Sequence, residues 1–151
     1  MSSDWITLIP EKAGTVPDEP RRFAALKRFR EIAPDAHEIE VILLEKMTFF
    51  DCGSNFISVK CPACSVEIPT NDWQDIMNTD YVDEGFMLAE YSVPCCGNYF
   101  TPHMLFYEGP QGFGLFALSA RNPNIGKLDS NHKREMEEIL GIELRVIYQH
   151  I

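Results

Sequence analysis

The chain has 151 residues, 45% of them hydrophobic and 24% charged, with a formal net charge of −10. That length suits one domain with a core of its own and no need of disulfide staples. The acidic balance disfavours binding to nucleic-acid phosphates, which needs clustered Lys and Arg. No apolar run reaches the length of a membrane span.

The opening MSSDWITLIP lacks a basic start and carries Asp4, so it does not read as a secretory signal, and a cytoplasmic chain is expected. Trp5–Ile9 predicts a short strand. A loop follows, with Pro20 where a first helical turn tolerates proline. Arg21–Ala33 then predicts a helix stopped by Pro34, with Phe23, Leu26, Phe29 and Ala33 on its apolar side. HEIEVILLEKMTFF, His37 to Phe50, is aliphatic enough for a central strand.

The same order returns near the C-terminus. Gly112–Ala120 predicts a buried strand and RNPNIG a loop. A helix follows, capped by Asp129 or Ser130 and stopped by Gly141, with Met136, Ile139 and Leu140 inward. In the last strand Leu144, Val146 and Tyr148 alternate against Glu143 and Arg145. Two β-α-β halves predict an α+β fold, a ferredoxin-like sandwich with a four-stranded sheet and two helices on one face. The chain reads as one domain over residues 1–151. Residues 52–110 form a zinc-ribbon-like acidic insert in place of the hairpin between the second and third strands.

Between Cys61 and Ala120 there is no Lys or Arg, and there are eight carboxylates, which leaves the flanks at 13 basic and 15 acidic residues. Such a segment is either a solvated acidic face or a docking surface for a cationic protein partner. In its middle, Trp73, Ile76 and Met77 recur at helical spacing, and Thr70 or Asn71 can cap that helix. The insert's aromatic residues (Trp73, Tyr81, Phe86, Tyr91, Tyr99, Phe100, Phe106 and Tyr107) exceed what a ribbon buries. Most are expected to cover the core, with one or two exposed beside carboxylates as interface anchors.

Five cysteines carry the chemistry. Cys61-Pro62-Ala63-Cys64 has the spacing at which a turn aims two sulfurs at one ion, and tetrahedral zinc needs four such donors. Pro94 and Gly97 mark a second turn around Cys95 and Cys96. The expected zinc ligands are Cys61, Cys64, Cys95 and Cys96, with Cys52 or His103 as substitutes for one of them. A redox pair would sit at a helix N-terminus, whereas β-branched SVEIP follows Cys64. An open zinc site of three cysteines and water, helped by Glu90 or Glu108, is an enzymatic alternative. Buried free cysteines are the plain one. No His-Glu-x-x-His, nucleophile elbow or phosphate loop is present in the sequence. The five basic residues of RRFAALKRFR most simply form a solvated face, with a nucleic-acid contact as the alternative.

The pieces DWITLIP, DCGSNF, CPAC, PCCG, Gly112-Phe113, Asn122-Pro123 and Leu140-Gly141 span nearly the whole chain. By them the chain resembles a family of small uncharacterised bacterial proteins with a CPxC…PCCG insert. That pattern usually has Gly where Ser65 stands, and it commonly lacks a histidine at His103, which implies Cys95 and Cys96 as the second ligand pair. The resemblance implies the fold and the metal and carries no established activity. The resulting expectation is a non-enzymatic zinc protein with a structural site and an acidic protein-binding surface, of which an inhibitor or immunity type is one version.

Overall fold

The computed structural model describes residues 2–151. Its elements begin with β1 (Asp4–Pro10), α1 (Glu19–Ile32) and β2 (Glu38–Phe50). Next come β3 (Ser58–Lys60), β4 (Glu67–Ile68), α2 (Thr70–Asp80), β5 (Tyr81–Val82) and β6 (Gly85–Phe86). After β7 (Tyr91–Ser92) and β8 (Tyr99–Phe100), a 3-10 turn at Pro102–Met104 leads into β9 (Phe106–Glu108). The chain ends with β10 (Gly112–Arg121), α3 (Ser130–Leu140) and β11 (Leu144–His150).

The fold is mixed α+β with antiparallel sheets. The largest has the order β11-β1-β10-β2, every neighbour antiparallel. On one face, Ile6 and Leu8 of β1, Phe116 and Leu118 of β10 and Leu144 of β11 meet Ala25 and Phe29 of α1 and Met136 and Leu140 of α3. Asp18 starts α1 by accepting from Arg21 N at 3.0 Å, and Asp129 starts α3 by accepting from His132 N at 2.7 Å. Each satisfies an amide that the first turn leaves without a helical partner. Gly141 ends α3 at φ 71°, a conformation that costs glycine least.

Three local expectations are corrected. Phe23 is 70% exposed, and Ala25 takes the inward place. Six residues separate Phe23 from Phe29, about 240° around a helix, so Phe23 points away from the core that Phe29 enters. The stretch read as a central strand is an edge strand: β2 pairs only with β10 in the sheet. Its aliphatic residues are partly covered on both faces. Ile39 and Val41 pack with the helices, while Ile42 and Phe50 join a second layer around Ile9, Cys52, Ala117 and Ile147. Lastly, neither Thr70 nor Asn71 caps α2. Pro69 holds the cap position at ψ 138°, its carbonyl accepting from Trp73 N at 3.1 Å, and no side chain assists.

Residues 51–111 connect β2 to β10 and carry a separate three-stranded sheet, β4-β3-β9, with two small hairpins, β5-β6 and β7-β8. An aromatic cluster fastens this segment to the main sheet. Trp73 stacks on Phe56 with centroids 5.6 Å apart, and Phe86 meets Phe49 at 6.3 Å and Phe113 at 4.9 Å. Of the eight insert aromatics singled out from the sequence, Tyr81, Tyr99 and Phe106 are exposed, where one or two were expected, and the other five are buried or half-buried.

Candidate metal centre

Two tight turns face each other in the insert. The first joins β3 to β4: Cys61 N donates to Val66 O and Ser65 N to Cys61 O, each at 2.9 Å. The second joins β7 to β8: Val93 N donates to Asn98 O at 2.9 Å and Gly97 N to Val93 O at 3.0 Å. Both turns close through a left-handed residue, Ser65 at φ 63° and Gly97 at φ 75°. Each has a proline one residue after its start, Pro62 and Pro94, which presets the entry angle.

These turns bring Cys61, Cys64, Cys95 and Cys96 together, with all four Sγ atoms within 4.8 Å of one another. Cys61 Sγ lies 3.7 Å from Cys96 Sγ, and Cys64 Sγ 3.3 Å from Cys95 Sγ. A tetrahedral zinc with ~2.3 Å bonds to sulfur requires sulfur atoms about 3.8 Å apart, so the cluster has the dimensions of a four-thiolate site. All five cysteines are free thiols. Soft sulfur donors suit zinc and exclude magnesium or calcium, which take oxygen. Among the described residues no other His, Cys, Asp and Glu side chains converge in this way.

The cluster is electrostatically unfinished without a cation. Burial pushes the Cys61 thiol up, but hydrogen bonds from the Cys64 and Ala63 amides, with help from the Cys95 and Cys64 thiols, outweigh it and bring it down to about 7. Hydrogen bonding with Cys64 and then burial push Cys95 up to about 12. One sulfur of the cluster thus ionises more readily than another, and the protons the thiols share hold them together. A divalent ion replaces those protons by stabilising all four as thiolates.

The centre rests on a small apolar base. Cys61 is buried with Val59, Ile68, Val93, Leu105 and Tyr107, whereas Cys64, Cys95 and Cys96 are exposed. Tyr107 OH donates to Pro102 O at 2.7 Å and accepts from Trp73 Nε1 at 3.1 Å, which locks α2 onto β9. Asn98 Nδ2 donates to Cys96 Sγ at 3.3 Å.

Cys52 and His103 lie elsewhere. The Cys52 thiol, buried against the main sheet, donates to Gly109 O and Gln111 Oε1 at 3.4 Å, and burial raises its pKa. His103 accepts from Phe113 N on Nδ1 at 3.0 Å, so its Nε2 carries the proton that it donates to Glu11 O at 2.7 Å. Burial, then the Arg145 charge, lower its pKa to about 4, with Glu11 opposing. Arg145 grips the Glu11 carboxylate through Nε at 2.8 Å and Nη2 at 3.1 Å, and reaches the carbonyls of Gln111 and His103. His103 is therefore a clasp between insert and sheet. Glu108, one of the two carboxylates named in the enzymatic alternative, is held by Lys60 at 2.8 Å and Ser58, which lower its pKa, while Glu90 is exposed.

Asp80 has a role that the sequence reading missed. Fully buried at the end of α2, it accepts from Leu88 N at 2.8 Å, Ala89 N at 2.9 Å and Tyr91 OH at 2.9 Å. It thereby folds the loop that delivers β7 and the second cysteine turn. An Asp preceding YVDEG signals a turn, but nothing in the sequence separates it from its seven exposed or half-exposed acidic neighbours. Tyr91 is pushed up to about 12 by burial and by Asp80. A cleft of about 740 Å³ is lined from the insert by Cys61, Met104 and Phe106 and from the main-sheet side by Glu11 and Arg145. No helix is long and apolar enough to cross a membrane. Comparison with protein-family models, with curated proteins and with solved structures finds no match to this chain.

Proposed function

We propose that this chain is a zinc-binding protein in which a ferredoxin-like sandwich presents a zinc-ribbon-like insert for docking to another protein. The carrying observation is the convergence of four sulfurs from two turns of matched hydrogen bonding. The metal's role is structural. The apolar base beneath the centre has six buried residues, against twelve in the cluster between sheet and helices. Metal–sulfur bonds supply the folding energy that so small a base lacks.

The partner is a cationic protein surface. Asp80 and Glu108 are used internally, which leaves Glu67, Asp75, Asp83, Glu84 and Glu90 exposed and Asp72 half-exposed. Asp83 and Glu84, at the tip of the β5-β6 hairpin, stand beside exposed Tyr81, Val82 and Met87. Carboxylates around an aromatic and aliphatic centre form a surface that steers a cationic partner and then anchors it. An inhibitor- or immunity-type role fits that surface. The basic residues of α1 are partly consumed within the chain: Arg28 pairs with Glu135 at 2.8 Å, Arg21 with Asp18, and Arg22 donates to Pro17 O.

Metal analysis of purified protein, with a thiol count before and after chelation, tests the first half. The expected result is one zinc per chain and four thiols protected until the metal is stripped. A metal-free protein with five freely reacting thiols overturns it. For the second half, capture from the native cell extract is compared at low and high salt, using the wild type and an Asp83→Lys, Glu84→Lys variant. Salt-sensitive capture that the variant loses supports the surface, and equal capture by both refutes it.

A further inference from the structure

The matched hydrogen bonds align the two cysteine turns residue by residue. Cys61 corresponds to Val93, Pro62 to Pro94, Ala63 to Cys95, Cys64 to Cys96 and Ser65 to Gly97. The second turn therefore has no cysteine at its first ligand place. Val93 fills it, 1% exposed, in the same apolar cluster as Cys61. The fourth sulfur comes instead from Cys95, at the place that Ala63 holds on the first turn, where no ligand is required. Adjacent Cys95 and Cys96 must both turn toward one ion, whereas Cys61 and Cys64 have the regular two-residue spacing.

We propose that Cys95 is an exchangeable ligand: Cys61, Cys64 and Cys96 hold the metal, and Cys95 gives up its place to an external thiolate. The inference rests on the metal reading above. Two of the three regular positions are fastened by contacts of their own. Cys61 is buried and Cys96 accepts from Asn98 Nδ2, while Cys64, though exposed, stands at the regular second place of its turn, matching Cys96 on the other. Cys95 is exposed, and its sulfur contact is Cys64 Sγ at 3.3 Å. An incoming thiol suits the site because it replaces a soft donor like for like and leaves the charge unchanged. The bond from the external sulfur to the metal forms as that from Cys95 breaks, and the proton released by the incoming thiol passes to the Cys95 sulfur. No electron changes hands.

Cobalt(II), whose sulfur-to-metal absorption reports the number of bound thiolates, is loaded into the wild type and into Cys95→Ala and Cys64→Ala variants. Affinity is read by competition with a chelator, and 2-mercaptoethanol is then titrated in. Cys95→Ala is expected to keep one ion per chain at about tenfold weaker affinity, and Cys64→Ala to lose roughly 100-fold or more. Added 2-mercaptoethanol restores the missing absorption in Cys95→Ala. A double variant, Val93→Cys with Cys95→Ala, rebuilds the regular turn, binds at least as tightly as the wild type and ignores added thiol. Equal losses in Cys95→Ala and Cys64→Ala, or a Cys95→Ala spectrum indifferent to thiol, overturn the exchange alone. A wild-type chain that takes up no ion overturns the metal reading with it.

Discussion

The four-stranded sheet and the cysteine insert solve the same problem by different physics. In the sheet region, strands of seven to thirteen residues bury a continuous apolar layer against two helices. The insert's strands are two or three residues long, too short for ladder pairing to hold them. Its shape depends on point fasteners: a sulfur cluster, the buried Asp80 carboxylate, and the Tyr107–Trp73 pair. A burial-built region resists the loss of any single contact in proportion to its area. A region built on point fasteners fails when one of them goes.

Metal removal is the largest test of that contrast. Stripping the ion, or replacing Cys61 with Ser, is expected to abolish hydrogen-exchange protection across residues 58–108 while β1, β10 and β11 keep theirs. Structural zinc supplies on the order of 10 kcal/mol to small sites, more than the insert's apolar base can replace. Uniform protection after removal breaks the comparison. The reverse experiment is Phe116→Ala in the sheet. Phe116 is fully buried, and its truncation costs about 3–5 kcal/mol of global stability by denaturant titration. Metal affinity should remain within a fewfold of wild type.

That division also decides what was legible from sequence. The sheet's four strands and two helices follow from periodicity and caps, because burial over long elements writes a repeating pattern: Leu144, Val146 and Tyr148 alternate, and Met136 and Leu140 recur at one turn. The four cysteines were legible because metal chemistry restricts residue type. The edge position of β2 was not, since aliphatic residues on both faces look the same whether a second strand or an insert covers them. Nor were the roles of Asp80 and His103. Each is a single polar side chain whose task is set by backbone amides brought close only in the folded chain. The Pro69 cap of α2 escaped because backbone geometry there replaces the side-chain bond that sequence reading looks for.

The His103 clasp is where the two regions meet, and its effect should be smaller and pH-dependent. His103 is neutral when folded, with a pKa lowered from 6.5 to about 4. Between those values the unfolded chain binds the extra proton, so stability is full above about pH 6.5 and falls as the pH drops toward 4. The shift corresponds to roughly 3 kcal/mol at most. His103→Gln should flatten that part of the pH–stability curve while lowering stability at pH 7. An unchanged slope would remove His103 as its source. Thiolates also protonate in acid, but they do so alike in both proteins, so the difference between the two curves of metal-loaded samples isolates His103.

The smallest effect isolates backbone strain at the two turns. Ser65 and Gly97 occupy equivalent left-handed positions, at φ 63° and 75°, but only one is glycine. A side chain in that conformation costs about 1 kcal/mol, which glycine avoids. Ser65→Gly is therefore expected to strengthen metal binding by a few- to tenfold, because a relaxed turn holds its sulfurs in place at less cost. Gly97→Ala should weaken it by a similar factor. Apart from its chain neighbours, no atom lies within 4 Å of the added methyl group at Gly97, so the change measures conformation without a tertiary clash. Chelator competition on both variants reads the two effects on one scale. Opposite signs of similar size would show that the turns are energetically as well as geometrically matched, so that the region without a large core is limited by how cheaply its backbone can present sulfur.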